Sequence, residues 1–257
     1  MRINHNITAL NNHRNMTLNN VATGKNMEKL SSGLRINRAG DDAAGLAVSE
    51  KMRGQIRGLE QAQRNVQDGI SFIQTAEGAM NEISSMLTRM KELNVQYATG
   101  TYTTTQKADS IEVELTNLSN QIDSILQNTK FNGISISGGT VSIQADDNSV
   151  KIGIAGITTS NIQGLAGATS ISTIETAIET VAKERAKLGA MQNRLEYTSN
   201  NLGTTIENLT ASESRIRDTD MAKEMVELTK NQILLQSSQA MLAQANSAPQ
   251  GVLSLLR

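Results

Sequence analysis

The stretch that decides the fold is IETAIETVAKERAKLGAMQNRLEYTSNNLGTTIENLTASESRI, residues 174–216. Apolar side chains recur in it at an unbroken seven-residue interval, at Ile174, Val181, Leu188, Leu195, Leu202, Leu209 and Ile216. A seven-residue repeat keeps one narrow seam of a helix facing a partner. The stretch therefore predicts a long helix that lies along a second helix.

The first half of the chain carries a matching stripe. One file with the same spacing consists of Leu59, Val66, Ile73, Met80 and Leu87. A second file, offset by three residues, contains Ala62, Ala76, Ile83, Met90 and Tyr97. We assign the bundle core to the first file together with the repeat from Ile174 to Leu209. The two stripes are similar in length, so we predict a mainly α fold, an elongated antiparallel helical bundle or coiled-coil rod.

Composition supports a bundle. Only 2% of the 257 residues are aromatic, and Trp and Cys are absent. A thick globular core normally draws on aromatic bulk, whereas a bundle can manage with aliphatic residues. The net charge of -1 gives no global field that would attract nucleic acid or an acidic membrane. No membrane span or cleaved secretory signal is expected, because apolar runs are short and MRINHNITALNNHRN lacks a hydrophobic core.

The segments of the first half can be placed by their caps and turns. Asp42 or Asp41 is a plausible N-cap for a helix from about Ala43 to Thr99. The GTYTTT turn at 100–105 precedes a shorter helix, which implies an antiparallel helical hairpin. Its apolar files are Ile111, Leu118 and Ile125, with Leu115 and Ile122 beside them.

Beyond Phe131 the period changes to strict alternation, which predicts a small β-hairpin at about 134–157. A long helix then runs from about Ser172 to Ser214, and a final helix ends at Pro249. This mirrored order places both termini at one end of the rod and the hairpin at the far end. The predicted domains are a discontinuous one, 1–42 plus 215–257, with paired terminal helices, and a bundle domain, 43–214.

The two terminal segments show a single apolar stripe each and are otherwise rich in uncharged amides. Such helices bury little, so we expect them to be disordered in the monomer and to order when copies pack together. The residues assigned to self-assembly are Ile3, Ile7, Leu10, Val21, Met221, Leu228, Leu235, Leu242, Leu253, Leu255 and Leu256.

Several long motifs resemble bacterial flagellin. They are MRINHNITAL at the start, LSSGLRINRAGDDAAGLAVSEKMRGQIRGL from residue 30, DGISFIQTAEGAMNEI from residue 68, and the whole stretch from Asn193 through the closing GVLSLLR. The resemblance implies a structural subunit that polymerises into the flagellar filament for swimming motility. The terminal helices would form its inner tube and 43–214 its outer tube. Only a hairpin and a short linker stand where many flagellins carry large outer domains, so none is expected here.

The resemblance also implies partners. They are other copies of the chain, an export chaperone, the type III export apparatus, the filament cap and the hook-junction proteins, with export to the extracellular flagellum without a cleaved Sec signal. In flagellins that a vertebrate toll-like receptor recognises, the main contact matches Arg89, Leu93 and Glu114 here. Subunit packing is the alternative role of these three residues. Ser and Thr near 101–105, 135–142 and 158–173 are candidates for O-linked sugars.

Two other functions remain open, a hook–filament junction protein and a secreted coiled-coil protein that does not polymerise. An enzyme is not expected, and neither is a metal or another cofactor. His5 and His13 lie eight residues apart without an HExxH motif, and Asp41 with Asp42 reads as helix capping. The basic residues from Lys51 to Arg64 lack interleaved aromatics, so they favour a solvated or intersubunit face over nucleic-acid binding.

Overall fold

The computed structural model describes residues 6–101, 103–165 and 170–255, with the side chains of Gln106, Ala108 and 249–255 left aside. The helices are α1 (Ile7–Ser32), α2 (Ala43–Ala98), α3 (Thr104–Gln106), a π-helix (Lys107–Glu112), α4 (Val113–Asn128), α5 (Ile171–Arg217) and α6 (Met221–Leu255). The strands, all between α4 and α5, are β1 (Lys130–Phe131), β2 (Ile134–Ser135), β3 (Val141–Gln144) and β4 (Lys151–Ile154). The mainly α fold class is confirmed.

The chain divides into two compact units. The terminal unit consists of residues 1–54 and 208–257, and the central unit consists of residues 55–207. Both boundaries fall inside long helices, α2 and α5.

In the terminal unit, α1 and α6 pack against each other and run antiparallel. Asn6, at the start of α1, donates to the Ala245 carbonyl near the end of α6, and Asn19 contacts Ser238. Both helices begin at side-chain caps, because Asn6 accepts from the Ala9 N–H and Asp220 accepts from the N–H groups of the first turn of α6.

The α1–α2 connection lies against the α5–α6 connection. Arg35 N–H donates to the Arg217 carbonyl at 2.6 Å, and Thr219 N–H donates to the Gly33 carbonyl at 3.0 Å. Gly33 ends α1 in a left-handed conformation, which glycine adopts without steric cost. Of the two predicted caps, Asp42 is the N-cap of α2, since its Oδ1 accepts from the Gly45 N–H at 2.8 Å.

One predicted helix end is wrong, because α6 passes Pro249 and continues to Leu255. Proline inside a helix leaves the carbonyl four residues earlier without its usual donor. That carbonyl belongs to Ala245, and Asn6 Nδ2 donates to it at 2.7 Å. The lost helical hydrogen bond is therefore replaced from α1.

The core of the central unit forms between α2, α4 and α5. Lys91 pairs with Glu175 at 2.9 Å and Arg185 with Glu77 at 3.8 Å, so α2 and α5 run antiparallel here. The fully buried large side chains of α2 and α4 are Ile73, Met80, Ile83, Leu87, Met90, Leu115, Ile122 and Leu126.

The α4 face differs from the predicted files. Ile111, Leu115, Ile122 and Leu126 are buried, whereas Leu118 and Ile125 are only half-buried. The buried positions of α4 advance by steps of four and three residues, through Ser119, and this places the file through Leu118 at the edge of the interface.

The β region contains two antiparallel pairs rather than one hairpin. β1 and β2 are joined by Asn132 and Gly133, whose φ angles of 49° and 81° suit a two-residue hairpin turn. β3 and β4 pair with Val141 opposite Ile154, and this is the predicted hairpin.

The β3–β4 hairpin lies alongside α2 rather than beyond the α2–α4 turn, which corrects its expected place at the far end. Asn65 Nδ2 donates to the Gln144 carbonyl at 3.3 Å. A Cβ at Gly69 would meet Ile143 Cδ1, and one at Gly58 would meet the Asp147 carboxylate. The two glycines let the hairpin approach the helix, and this contact buries Ile143.

Candidate self-assembly interface

The residues assigned to self-assembly separate into two faces of the α1–α6 pair. Ile7, Leu10, Val21 and Met221 are exposed, with Leu10 at 73%. We call the solvent-facing apolar side of the pair the outward face. Within the described residues, no other segment covers these apolar side chains. Contiguous exposed apolar surface is typical of an interaction site.

Leu228, Leu235 and Leu242 belong to the opposite side of α6. They are half-buried and alternate with half-buried Asn231 and Ser238 along the side that meets α1. We call this contact the α1–α6 seam. Ile3 and Leu256 lie outside the described residues, and only the backbone of Leu253 and Leu255 is described.

Sequence reasoning missed much of the outward face. On α1 it includes Leu18 and Met27, and on α6 it includes Met225, Val226, Ile233, Leu234 and Met241. Val226 and Ile233 are seven residues apart, so they form a heptad file of their own on the side of α6 away from α1. That spacing was the available signal, although it could not show which of two parallel files is left uncovered.

Polar side chains fill the α1 side of the seam. Asn12, Asn19 and Asn26 recur every seven residues and are half-buried, in register with Met16 and buried Thr23. Asn12 Nδ2 lies 3.4 Å from the Met241 carbonyl, and Asn19 Nδ2 lies 3.5 Å from Ser238 Oγ. The pair is therefore unusual because the amides of α1 meet the Leu file of α6 between the helices, while other aliphatic side chains of both helices remain outside.

The joint beside the seam carries an ion pair that the sequence did not indicate. Arg217 Nη1 donates to Glu50 Oε1 at 2.6 Å, and the Arg217 side chain is only 12% exposed. The Arg35 guanidinium donates twice to the Ile216 carbonyl, at 2.7 and 3.2 Å. Arg217 thus ties the end of α5 to α2, and Arg35 ties it to the segment that precedes α2.

Asp41 stabilises the same joint from the other side. Its Oδ2 accepts from the N–H groups of Arg38 and Asn37, at 3.1 and 3.2 Å. The hydrogen bond from the Arg38 N–H, followed by that from Asn37, lowers the pKa of the Asp41 carboxyl.

Most of the residues predicted for the bundle core are buried. The members that the structure buries are Leu59, Val66, Ile73, Met80, Leu87, Ile174, Val181, Leu188, Leu195 and Leu202. Leu209 is half-buried and belongs to the terminal unit.

Tyr97, the last member of the second file, is half-buried, and its hydroxyl donates to Glu112 at 2.9 Å. The hydrogen bond to the Glu112 carboxylate raises the pKa of Tyr97.

The three residues matched to a receptor contact do not form one exposed surface. Arg89 donates to Glu114 at 2.9 Å and to Glu92 at 3.2 Å, and these hydrogen bonds raise the pKa of Arg89. Leu93, however, is only 2% exposed and lies in the core of the central unit. The expectation that Leu93 lies on an exposed surface with Arg89 and Glu114 is wrong, because its side chain is buried.

The described residues contain no group of three His, Asp or Glu side chains placed to hold a metal ion. None of the helices, over the residues that the structure describes, has both the length and the apolar character that a bilayer crossing requires.

Comparison with known proteins matches both ends of the chain to family models. Residues 3–142 match the bacterial flagellin N-terminal helical region, and residues 171–256 match the bacterial flagellin C-terminal helical region. The chain belongs to the bacterial flagellin family. Flagellins are structural proteins, and this one is a subunit of the extracellular flagellar filament that drives motility.

Its relatives match over their full length. A flagellin of Bacillus subtilis (strain 168) is 49% identical, and one of Halalkalibacterium halodurans is 52% identical, each with 100% of both chains covered. The flagellar filament 33 kDa core protein of Treponema phagedenis is 47% identical, again over 100% of both chains. These relatives favour the filament subunit over the junction protein and the non-polymerising coiled coil.

Proposed function

We propose that this flagellin polymerises through the outward face of the α1–α6 pair, with 1–42 and 215–257 forming the inner tube and 43–214 the outer tube. The observation that carries the proposal is the exposure of aliphatic and Met side chains on both helices, including Leu10, Val226 and Ile233. A neighbouring copy would bury these side chains at roughly 25 cal/mol per Å² of apolar surface. The residues of the seam would then act indirectly, by holding α1 and α6 together.

Seeded polymerisation of substituted chains tests the proposal. Val226→Asp and Ile233→Asp place a carboxylate on the outward face, where assembly would bury it without a partner. We expect the monomer to keep its helicity and melting temperature and to form no filaments. Gln232→Asp adds the same charge to an exposed polar position of α6 and should assemble. Normal filaments from Ile233→Asp would contradict the outward-face assignment.

The terminal helices are also proposed to order on assembly. Each terminal helix buries only the half-buried side chains of the α1–α6 seam. The burial of this small surface must offset an ordering cost of about 1–2 kcal/mol per residue for the backbone alone. Limited proteolysis should trim free monomer to the region between α1 and α6 and leave filaments intact. Equal resistance of α1 in both states would argue against this step.

The remaining partners rest on family membership. We propose export as an unfolded chain by the type III apparatus with its chaperone, without a cleaved Sec signal, and contact with the filament cap and hook-junction proteins. We propose that recognition by a toll-like receptor uses the exposed Arg89–Glu114 pair and not the buried Leu93. No catalytic role is proposed.

A further inference from the structure

The seam between α1 and α6 presents a problem of specificity. α6 carries two apolar stripes, since Leu235 points inward while Val226 and Ile233 point outward. The apolar side chains Leu10 and Val21 of α1 also point outward. Apolar contact alone does not distinguish one heptad register from the next, because any aliphatic side chain satisfies any other. Something else must select the face and the register of the pair.

Amide side chains supply directional contacts at intervals along the whole seam. Asn6 reaches Ala245 at one end, Asn12 and Asn19 reach Met241 and Ser238 in the middle, and Asn26 lies at the other end. In the orientation that satisfies both atoms of its amide, Asn26 donates to Glu224 Oε1 and accepts from Asn231 Nδ2, each at 3.1 Å. A buried polar group left without its partner is destabilising, so a slipped register would cost every one of these contacts.

The contact of Asn6 differs from those of the other asparagines, because its acceptor lies four residues before a proline. A normal α-helix would satisfy the Ala245 carbonyl with the N–H of residue 249, but that residue is Pro249 and has no N–H. The distance of 2.7 Å from Asn6 Nδ2 is the shortest polar contact between α1 and α6. The proline thus leaves one acceptor on α6 without its usual helical donor, and Asn6 of the other terminal segment donates to it.

We propose that the inward-facing asparagines fix the register of the α1–α6 pair, and that Asn6 is its anchor because it occupies the carbonyl that Pro249 leaves open. The asparagines thereby decide which apolar residues stay outside. The inference rests on the proposed function, because the measurements that test it are made on filaments. Since the Asn12 and Asn19 contacts are long, Asn6 and Asn26 carry most of the effect.

A double-mutant cycle in the full chain tests the anchor. Asn6→Ser keeps a capping oxygen for α1 but removes the amide donor, and Pro249→Ala supplies the missing helical N–H. Amide hydrogen exchange of α6 residues 239–248 is measured in filaments, where the terminal helices are proposed to be ordered. We expect Asn6→Ser alone to speed exchange at least fivefold and Asn6→Ser with Pro249→Ala to change it less than twofold relative to Pro249→Ala.

An equal acceleration in both backgrounds would overturn the anchor, since Asn6 would then act independently of the open carbonyl. Absence of protection in α6 of the parent chain in filaments would overturn it as well. Failure of the parent chain to polymerise would instead refute the proposed function, and the inference that rests on it would fall for that separate reason.

The register itself can be read with spin labels, because the chain has no cysteine and takes them only at introduced sites. Cysteines replace the exposed Thr17 and Gln239 in the parent chain and in the seam variant Asn6→Ser/Asn12→Leu/Asn19→Leu/Asn26→Leu. The matched control carries leucine at the exposed Asn11, Asn15 and Asn20.

In filaments where labelled chains are diluted with unlabelled ones, we expect one narrow inter-label distance in the parent and in the control. The seam variant should show a second population displaced by one heptad, about 10 Å along the helix axis. A single narrow distance in the seam variant would show that apolar packing sets the register and would overturn the proposal.

Discussion

The seams of the two units use the same heptad spacing for opposite purposes. In the central unit, Met80, Ile83 and Leu87 of α2 are fully buried inside the bundle. In the terminal unit, Asn12 and Asn19 occupy the α1 side of the seam, and aliphatic side chains such as Leu10 and Ile233 remain outside. A heptad stripe therefore identifies residues that share a face, but not whether that face meets a helix of the same chain or another copy.

The difference in stability between the two seams should be largest when one aspartate is introduced into each of them. Leu195 is fully buried in the central unit, so Leu195→Asp should destabilise it by more than about 4 kcal/mol and unfold the monomer. Leu235→Asp lies in the half-buried α1–α6 seam and should leave the main thermal transition in place while preventing polymerisation. Circular dichroism melting and seeded assembly measure the two effects. A similar loss of melting temperature in both variants would remove the contrast.

A second test separates the core from the surface within the central unit. Leu93→Ala should cost about 2–5 kcal/mol, because it opens a cavity at a buried position. Arg89→Ala removes an exposed guanidinium from its pairs with Glu92 and Glu114 and should change stability far less. Urea unfolding of the two variants gives the comparison. A large loss for Arg89→Ala would assign a structural role to the ion pair.

Two glycines of α2 give a smaller and opposite pair of effects. A Cβ at Gly69 would meet Ile143 Cδ1, with Leu195 Cδ1 at 3.3 Å, so Gly69→Ala should destabilise by about 1–3 kcal/mol. A Cβ at Gly78 would meet nothing within 4 Å, so Gly78→Ala should stabilise by up to about 1 kcal/mol through helix propensity. Thermal melting of both variants should therefore shift in opposite directions. A stabilising Gly69→Ala would mean that the hairpin does not depend on close approach to α2.

The smallest expected effect is a local pH dependence in the terminal unit. Because backbone N–H groups lower the pKa of Asp41, its contribution to the 37–42 turn is complete above the ordinary aspartate pKa of about 3.9. That contribution is lost as the pH falls through the lowered pKa. The amide signals of Asn37 and Arg38, followed by NMR from pH 5 to pH 2, should shift with this titration. Asp41→Asn should remove the shift, and an unchanged profile in that variant would assign the titration to another group.

Much of the fold could be predicted because heptad spacing is a local property of the sequence. Ile174 through Leu202 identified α5 and its buried stripe, and Asp42 identified the start of α2. The β1–β2 turn has a sequence signal as well, since Asn132–Gly133 strongly favours a two-residue hairpin, but only the later hairpin at about 134–157 was predicted. These features depend on residues that are close together in the chain.

Features that depend on distant residues could not be read in this way. Leu93 lies outside the main heptad files and therefore resembles a surface residue, and only the folded central unit buries it. Pro249 signals a helix end by itself, but α6 continues past it with the open carbonyl satisfied by Asn6, 239 positions away in the chain. The place of the β3–β4 hairpin alongside α2 likewise depends on Gly58 and Gly69.

The sequence by itself determined that this flagellin is mainly helical and which side chains share each stripe, because an α-helix of 3.6 residues per turn converts spacing directly into faces. The tertiary structure alone decided which face of each terminal helix is covered. That choice depends on amide contacts between α1 and α6, whose partners lie more than 200 residues apart, and no local pattern encodes them.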